Sequence, residues 1–157
     1  MSGHVEIEFE SSLKHDDVFL PHLGSIIEAP GWVVRERWIL GNVLLTVGGQ
    51  AYKTGKVALI DFGLSLRFSL DDLAVSKKED LVFDGQVEMS MHLTGDDIAI
   101  RGHDGRVVGH CKLADLVKSA FLFVQDILSK LVEVDSDVLL NEAVKSLCRE
   151  FDAPSWK

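Results

Sequence analysis

Hydrophobic and charged residues alternate at the start of the chain. Three apolar residues are interleaved with three glutamates, in the order Val5, Glu6, Ile7, Glu8, Phe9 and Glu10. A period of two is typical of a strand that buries one face and turns the other, here acidic, face to water. We therefore predict a first strand there. The segment from Lys14 to Pro30 has no clear period, and we predict a loop with a short helix around Leu20 to Ile27.

The next apolar segments predict two strands and a helix. Trp32 to Leu40 and Val43 to Val47 have the composition of strands joined through Gly41-Asn42, and Gly48-Gly49 ends the second. Val57 to Val75 fits both periods, because its apolar residues alternate as in a strand and also recur at helical spacing. So long an apolar segment exceeds the usual strand, and we predict a helix that ends in the polar run Ser76 to Asp80.

A three-stranded meander is predicted in the second half of the chain. Apolar residues alternate with polar ones from Val87 to Thr94, and the dipeptides Gly95-Asp96 and Asp104-Gly105 are typical of tight turns. If both turns are two-residue loops, two rows of neighbouring side chains result. Leu93, Ile98 and Cys111 share the apolar face, and His92, Ala99 and His110 share the other.

Two amphipathic helices follow the meander. Apolar residues recur at helical spacing from Leu113 to Leu131 and again from Leu140 to Phe151, where Asp135 or Ser136 is the expected cap. Runs of strands with helices between and after them predict an α+β fold. We expect an antiparallel β-sheet with a central helix and two C-terminal helices packed on one face.

Length and charge limit the class of protein. A chain of 157 residues with 46% hydrophobic content is expected to form one core, so residues 1–157 are predicted to be a single domain. The net charge of −9 disfavours nucleic acid and anionic membranes as partners and favours a basic protein. The first residues carry neither a basic leader nor an apolar run, and no apolar stretch reaches the roughly 20 residues of a membrane span, so a cytoplasmic location is expected.

No motif specifies a catalytic or metal site. Asp61-Phe62-Gly63 resembles the metal-binding segment of protein kinases, but the other kinase motifs are absent from the sequence, and Asp61 is expected to face solvent on the predicted helix. His92 and His110 lie two strands apart in the predicted register, about 10 Å, which makes a shared zinc ion difficult without a strong twist of the sheet, and His103 is expected to be exposed in its turn. Cys111 and Cys148 have no metal-type spacing and are expected to be ordinary buried thiols. No catalytic residue, metal or cofactor is predicted.

The order of the elements resembles small bacterial α+β proteins related to toxin immunity proteins. The resemblance rests on an early strand pair, the segment Ala58 to Leu66, the meander, and the long helix that opens with Leu113 to Val124. It implies a non-catalytic protein that binds and blocks a cognate toxin, often a nuclease with a basic substrate cleft, by presenting acidic side chains where phosphate would bind. Charge complementarity of this kind speeds the encounter of two proteins.

Five residues are predicted for such a partner-binding surface. Asp96, Asp97 and Asp104 lie in or beside the meander turns, which are expected at opposite ends of the sheet. Trp32 and Trp38 are candidate interface anchors, although aromatic residues on strands more often belong to the core. Two alternatives stay open: a small hydrolase whose residues come from loops joined in space, and a scaffold domain that self-associates through an exposed sheet edge.

Overall fold

A computed structural model describes residues 4–10, 25–83 and 85–151 of the chain. Its strands are β1 (Val5–Glu10), β2 (Leu40–Val47), β3 (Gln50–Ala58), β4 (Lys78–Phe83), β5 (Gln86–Thr94), β6 (Asp97–Gly102) and β7 (Val107–Lys112). Its helices are α1 (Gly31–Glu36), α2 (Leu59–Ser76), α3 (Leu113–Val134) and α4 (Glu142–Glu150), with a short 3-10 helix at Ser136–Leu140. The predicted α+β class with antiparallel strands is confirmed.

The described strands form two sheets where the sequence predicted one. Their orders are β1-β2-β3 and β4-β5-β6-β7, and all neighbours are antiparallel. The sheets approach each other closely at two glycines. A Cβ at Gly109 would lie 2.9 Å from the carbonyl oxygen of Val47, and one at Gly102 would lie 2.5 Å from the ring of Tyr52. Alternation within single strands fixes which residues are buried, but it does not specify which strands share a sheet.

The predicted meander is confirmed, and so is its register up to Ile100, where an irregularity shifts the pairing of β6 with β7 and the second turn is longer than the predicted two residues. Leu93 pairs with Ile98 and Ile98 with Cys111, while Ala99 lies between His92 and His110. The sequence missed a fourth strand, β4, which pairs with β5. Helix α2 ends at Ser76, and Lys77, at φ 65, reverses the chain directly into β4. The polar run that was predicted to be only a helix exit therefore contains the start of a strand.

The predicted strand at Trp32 to Leu40 is wrong over its first part. Gly31–Glu36 is helix α1, which follows Pro30 in extended conformation and buries Val33 and Val34. Burial of these two valines outweighs their preference for strands. Strand β2 runs unbroken through Gly41-Asn42, and the turn lies instead at Gly48-Gly49, where both residues have positive φ. Strand β3, which follows this turn, was also missed.

Helices α2 and α3 pack against each other in the core, and both were predicted. The rings of Phe62 and Phe123 meet edge to face at a centroid distance of 5.8 Å. Gly63 permits this approach, because a Cβ there would lie 2.5 Å from Cγ2 of Val124. The buried hydrophobic side chains of both sheets and of the helices form one cluster. Among the described residues, no helix is long and apolar enough to cross a membrane.

The last predicted helix begins later than expected. Asp135 does cap a helix, but it is the 3-10 helix, and α4 begins at Glu142 with Asn141 as its cap. Val144 and Leu147 are buried as predicted, whereas Leu140 is 52% exposed. The short helix predicted around Leu20 to Ile27 lies largely outside the described residues, and the described part, from residue 25 onward, forms a turn.

Candidate protein-binding site

The aspartates predicted for partner binding lie at two opposite ends of the four-stranded sheet. Asp96 and Asp97 flank the β5–β6 turn, and each has a carboxylate oxygen 3.1 Å from Nζ of Lys112. Lys112 donates hydrogen bonds to Asp96 and to Asp97, and these two bonds, in that order of size, raise the pKa of Lys112. The ammonium therefore offsets part of the negative charge of the two aspartates. Asp104 lies in the other turn, where it accepts a hydrogen bond from the backbone N–H of Arg106. The structure does not bring the two turns together.

The two predicted tryptophan anchors differ in exposure. Trp38 is 2% exposed and belongs to the core, whereas Trp32 is 56% exposed on helix α1. Of the two, only Trp32 presents its side chain to a partner in this structure. The core role that strand aromatics usually have therefore applies to Trp38, even though it precedes the first residue of β2.

The three histidines in and beside the meander strands are dispersed, as the predicted register requires. His92 and His110 are exposed on the outer face of the sheet with Ala99 between them, and His103 is exposed in its turn beside Tyr52. In the described part of the chain, no group of three His, Cys, Asp or Glu residues is placed to hold a metal ion. Burial raises the pKa of the Cys111 thiol to about 11 and also raises that of the half-buried Cys148.

Asp61 does not face solvent, which corrects the prediction from the kinase-like segment. It lies in the first turn of α2, and its side chain is only 20% exposed because it forms an ion pair with the guanidinium of Arg35. Arg35 also donates a hydrogen bond to the hydroxyl of Ser65. A carboxylate in the first turn of a helix interacts favourably with the helix dipole. The ion pair therefore joins α1 to α2 at a place where the negative charge is also stabilised by the helix.

A cleft of about 440 Å³ runs between strand β1 and helix α3. Its walls include Glu6, Ile7 and Glu8 from β1, and Asp115, Lys118, Ser119 and Leu122 from α3. Strand β1 is an edge strand, since β2 is its one neighbour in the described sheet. Within the described residues, the cleft therefore opens along an edge of the sheet, a geometry in which a partner can contact backbone and side chains together.

Carboxylates dominate the charge of this cleft. Glu6, Glu8 and Asp115 are all exposed, against one ammonium group, that of Lys118. The carboxylate of Glu6 lies 3.0 Å from Nε2 of His4. Among the described residues, neither Glu8 nor Asp115 forms an ion pair, so their charges remain available to a cationic ligand. By contrast, the turn carboxylates Asp96 and Asp97 are already bound to a lysine.

One half of this cleft is predictable from the sequence. The alternation of apolar residues and glutamates predicted that β1 has an acidic outer face, and Glu6 and Glu8 are exposed as expected. No signal in the sequence placed β1 at a sheet edge or brought Asp115, more than one hundred residues away, beside it. Comparison with protein-family models, with curated proteins and with solved structures finds no match.

Proposed function

We propose that this chain is a non-catalytic cytoplasmic binding protein of the immunity type, which binds a basic protein such as the nuclease domain of a toxin. The observation that supports the proposal is the acidic cleft between β1 and α3, in which three exposed carboxylates surround an open strand edge. With a net charge of −9, the chain attracts a basic partner over longer distances as well. Steering of this kind raises the association rate and falls as salt is added.

The same charges oppose self-association through β1. If two copies paired antiparallel along this edge, the glutamates on the outer face of one strand would lie opposite or diagonal to those of the other. Like charges in cross-strand positions are destabilising, whereas opposite charges contribute favourably. The edge therefore favours a basic strand or loop over a second copy of the chain, which argues against the scaffold alternative.

The proposal is tested by capturing the partner and measuring its affinity. The tagged chain is purified from the lysate of its native host, and the captured protein is then produced alone and titrated by calorimetry at low and high salt. We expect a one-to-one complex with a basic protein whose affinity falls as salt rises. If the partner is a nuclease, a stoichiometric amount of the chain should abolish its activity.

Two results would contradict the proposal. One is a complex whose affinity does not change with salt concentration. The other is a purified chain that degrades a substrate by itself and loses this activity when His103 or His110 is replaced by Ala. The second result would favour the hydrolase alternative, with histidines as its catalytic groups.

A further inference from the structure

We infer that the partner binds by strand addition: a segment with alternating basic and apolar residues pairs with the free edge of β1 and extends the three-stranded sheet. The inference rests on the proposed function, because it names how the basic partner is held at the same cleft. It follows from the direction of the backbone groups of β1, from the course of α3, and from the side chains that line the cleft.

The backbone groups of Ile7 point into the cleft. The carbonyl of His4 accepts a hydrogen bond from the N–H of Gly48 at the end of β2, so the groups of His4 face β2. Because these directions alternate along a strand, Glu6 and Glu8 also face β2, and Val5 and Ile7 face away from it. The pairing of β1 with β2 agrees with this alternation. Val43, which lies opposite Phe9, turns its N–H toward Thr54 of β3 and so away from β1.

Along this edge, one outward backbone group already has a hydrogen-bond partner, and the groups of the next outward residue do not. The hydroxyl of Ser119 donates a hydrogen bond to the carbonyl of Val5 over 3.1 Å. In the described part of the chain, the outward N–H and C=O of Ile7 have no hydrogen-bond partner. An edge that presents such groups is a template for another strand, which supplies main-chain hydrogen bonds without regard to sequence.

Helix α3 supplies an apolar wall next to the open groups. Ser119 meets Val5, and the ring of Phe123 lies 6.0 Å from that of Phe9, so the helix runs along β1 in the same direction as the strand. Leu122 is therefore beside the middle of β1, and it is 54% exposed. Alternate side chains of an added strand that point toward the helix would cover Leu122.

The other side chains of the added strand would lie on the outer face of the sheet, where β1 presents Glu6 and Glu8. Cross-strand neighbours on one face are close enough to interact, and pairs of opposite charge are favourable there. Lysine or arginine at every second position would meet these glutamates. The two faces together thus specify the alternation of basic and apolar residues in the partner.

The first test uses a labelled peptide of alternating Lys and Val as the probe and measures its binding by fluorescence anisotropy. Two further peptides have the same sequence but carry N-methyl groups either on every Lys amide or on every Val amide. Only one set of amides can face β1, so we expect one methylated peptide to bind and the other to fail. Equal binding of both, or failure of the unmodified peptide, would overturn strand addition.

Hydrogen exchange of the chain gives a direct readout of the pairing. On adding the unmodified peptide, the amide of Ile7 should exchange at least about tenfold more slowly, because it gains a hydrogen bond. The amide of Glu6 already faces β2 and serves as the internal control. Protection that is absent at Ile7 while the peptide is bound would contradict the inference.

Charge variants separate this inference from the proposed function. The double variant Glu6→Gln, Glu8→Gln should weaken binding of the peptide about tenfold, because two cross-strand ion pairs are lost. The control variant Asp72→Asn, which neutralises an exposed carboxylate on α2, should leave peptide binding unchanged. If the captured partner binds with salt dependence and is weakened by the double variant, but is not displaced by the peptide, the proposed function stands and strand addition falls. If the free chain sediments as a dimer and the peptide dissociates this dimer, the edge of β1 binds a second copy of the chain. That result would overturn the inference.

Discussion

The hydroxyl of Tyr52 on β3 donates a hydrogen bond to the carbonyl of Glu88 on β5 over 2.9 Å, and this contact joins the two sheets. The same hydroxyl accepts a hydrogen bond from the backbone N–H of His103, and Nδ1 of His103 also lies within hydrogen-bond distance. Tyr52 thus connects β3, β5 and the β6–β7 turn.

Removing the hydroxyl should weaken the fold at this junction. We expect Tyr52→Phe to lower the free energy of unfolding by about 1–2 kcal/mol, because a partly buried hydroxyl with several hydrogen bonds is lost while the ring still packs on Gly102. Urea denaturation of the variant and the wild type measures the difference. An unchanged free energy of unfolding would mean that the junction does not contribute to stability.

The titration of Tyr52 should report the same junction. Burial is the largest effect on the pKa of Tyr52 and raises it above 10.0. The hydrogen bond from the backbone N–H of His103 acts in the opposite direction and lowers the pKa, but by less. Because the folded pKa is raised, the contribution of the protonated Tyr52 hydroxyl to stability is fully present below pH 10. This contribution is lost as pH rises through the pKa of the folded state. Since the chain contains one tyrosine, the absorbance of tyrosinate follows Tyr52 alone.

We expect the midpoint of that titration to lie higher in the native protein than in the protein unfolded by urea. His103→Gly removes the ring of His103 but keeps its backbone N–H, and should leave the midpoint above that of the unfolded chain. A native midpoint equal to or below the unfolded one would contradict the burial of Tyr52 between the sheets.

The two thiols should differ in reactivity. Burial, aided by the charges of Asp115 and Asp97, raises the pKa of Cys111 from 9.0 to about 11, and the thiolate that alkylating reagents require is correspondingly scarce. In the native protein we expect iodoacetamide to modify Cys148 first, and both thiols to react in urea. In a Cys148→Ala variant, modification of the folded chain should be at least about a hundredfold slower than of the unfolded chain. Rapid alkylation of Cys111 in this variant would contradict its buried position.

Cys111 also predicts how stability changes in alkaline solution. Its folded pKa is raised, so its contribution to stability is complete below pH 9 and is lost as pH rises toward 11. The loss is on the order of 2 kcal/mol for a buried thiol with a shift of this size. Urea denaturation of the wild type and of Cys111→Ala across this pH range measures the difference, and the variant should show the smaller loss.

Replacement of Asn141 should destabilise the fold more than replacement of most other polar residues. Its side chain is almost fully buried: Oδ1 accepts hydrogen bonds from the N–H groups of Ala143 and Val144, and Nδ2 donates to the carbonyls of Ile26 and Ala29. We expect Asn141→Ala to lower the free energy of unfolding by about 2–4 kcal/mol, from loss of the cap and from a buried carbonyl left without a donor.

The variant Asn141→Ser provides the matched control for the cap. Its hydroxyl can still accept a hydrogen bond at the start of α4 but cannot reach both carbonyls, so its free energy of unfolding should lie between those of the wild type and Asn141→Ala. If Asn141→Ala is as stable as the wild type, the residue does not join α4 to the segment before α1.

The parts of the fold that were predictable have strong local periodicity. The meander register followed from alternation and two turn dipeptides, and helix α2 followed from the length of its apolar segment. Strand β3 was missed because only Thr54 and Val57 are buried along it, and its pairing with β2 is irregular between Asn42 and Leu44. Helix α1 was missed because its valines are strand formers that tertiary packing overrides.

The candidate site was less predictable than the fold for a related reason. The sequence identifies acidic turns such as Asp96-Asp97, but it does not show that Lys112 pairs with both carboxylates. It also identifies the acidic face of β1 without the neighbouring helix that makes a cleft of it. Both facts depend on residues that are distant in sequence, and no periodic pattern encodes them.

The cleft and the acidic turns can be compared directly as binding sites for the captured partner. Calorimetry at low salt measures the Kd for the wild type, for the double variant Glu6→Gln, Glu8→Gln, and for the double variant Asp96→Asn, Asp97→Asn, which removes the same charge. We predict that the cleft variant raises the Kd about tenfold and the turn variant less than about twofold, because Lys112 already offsets the turn carboxylates. An unchanged Kd in the cleft variant, with a large increase in the turn variant, would contradict the cleft and assign the partner to the turns.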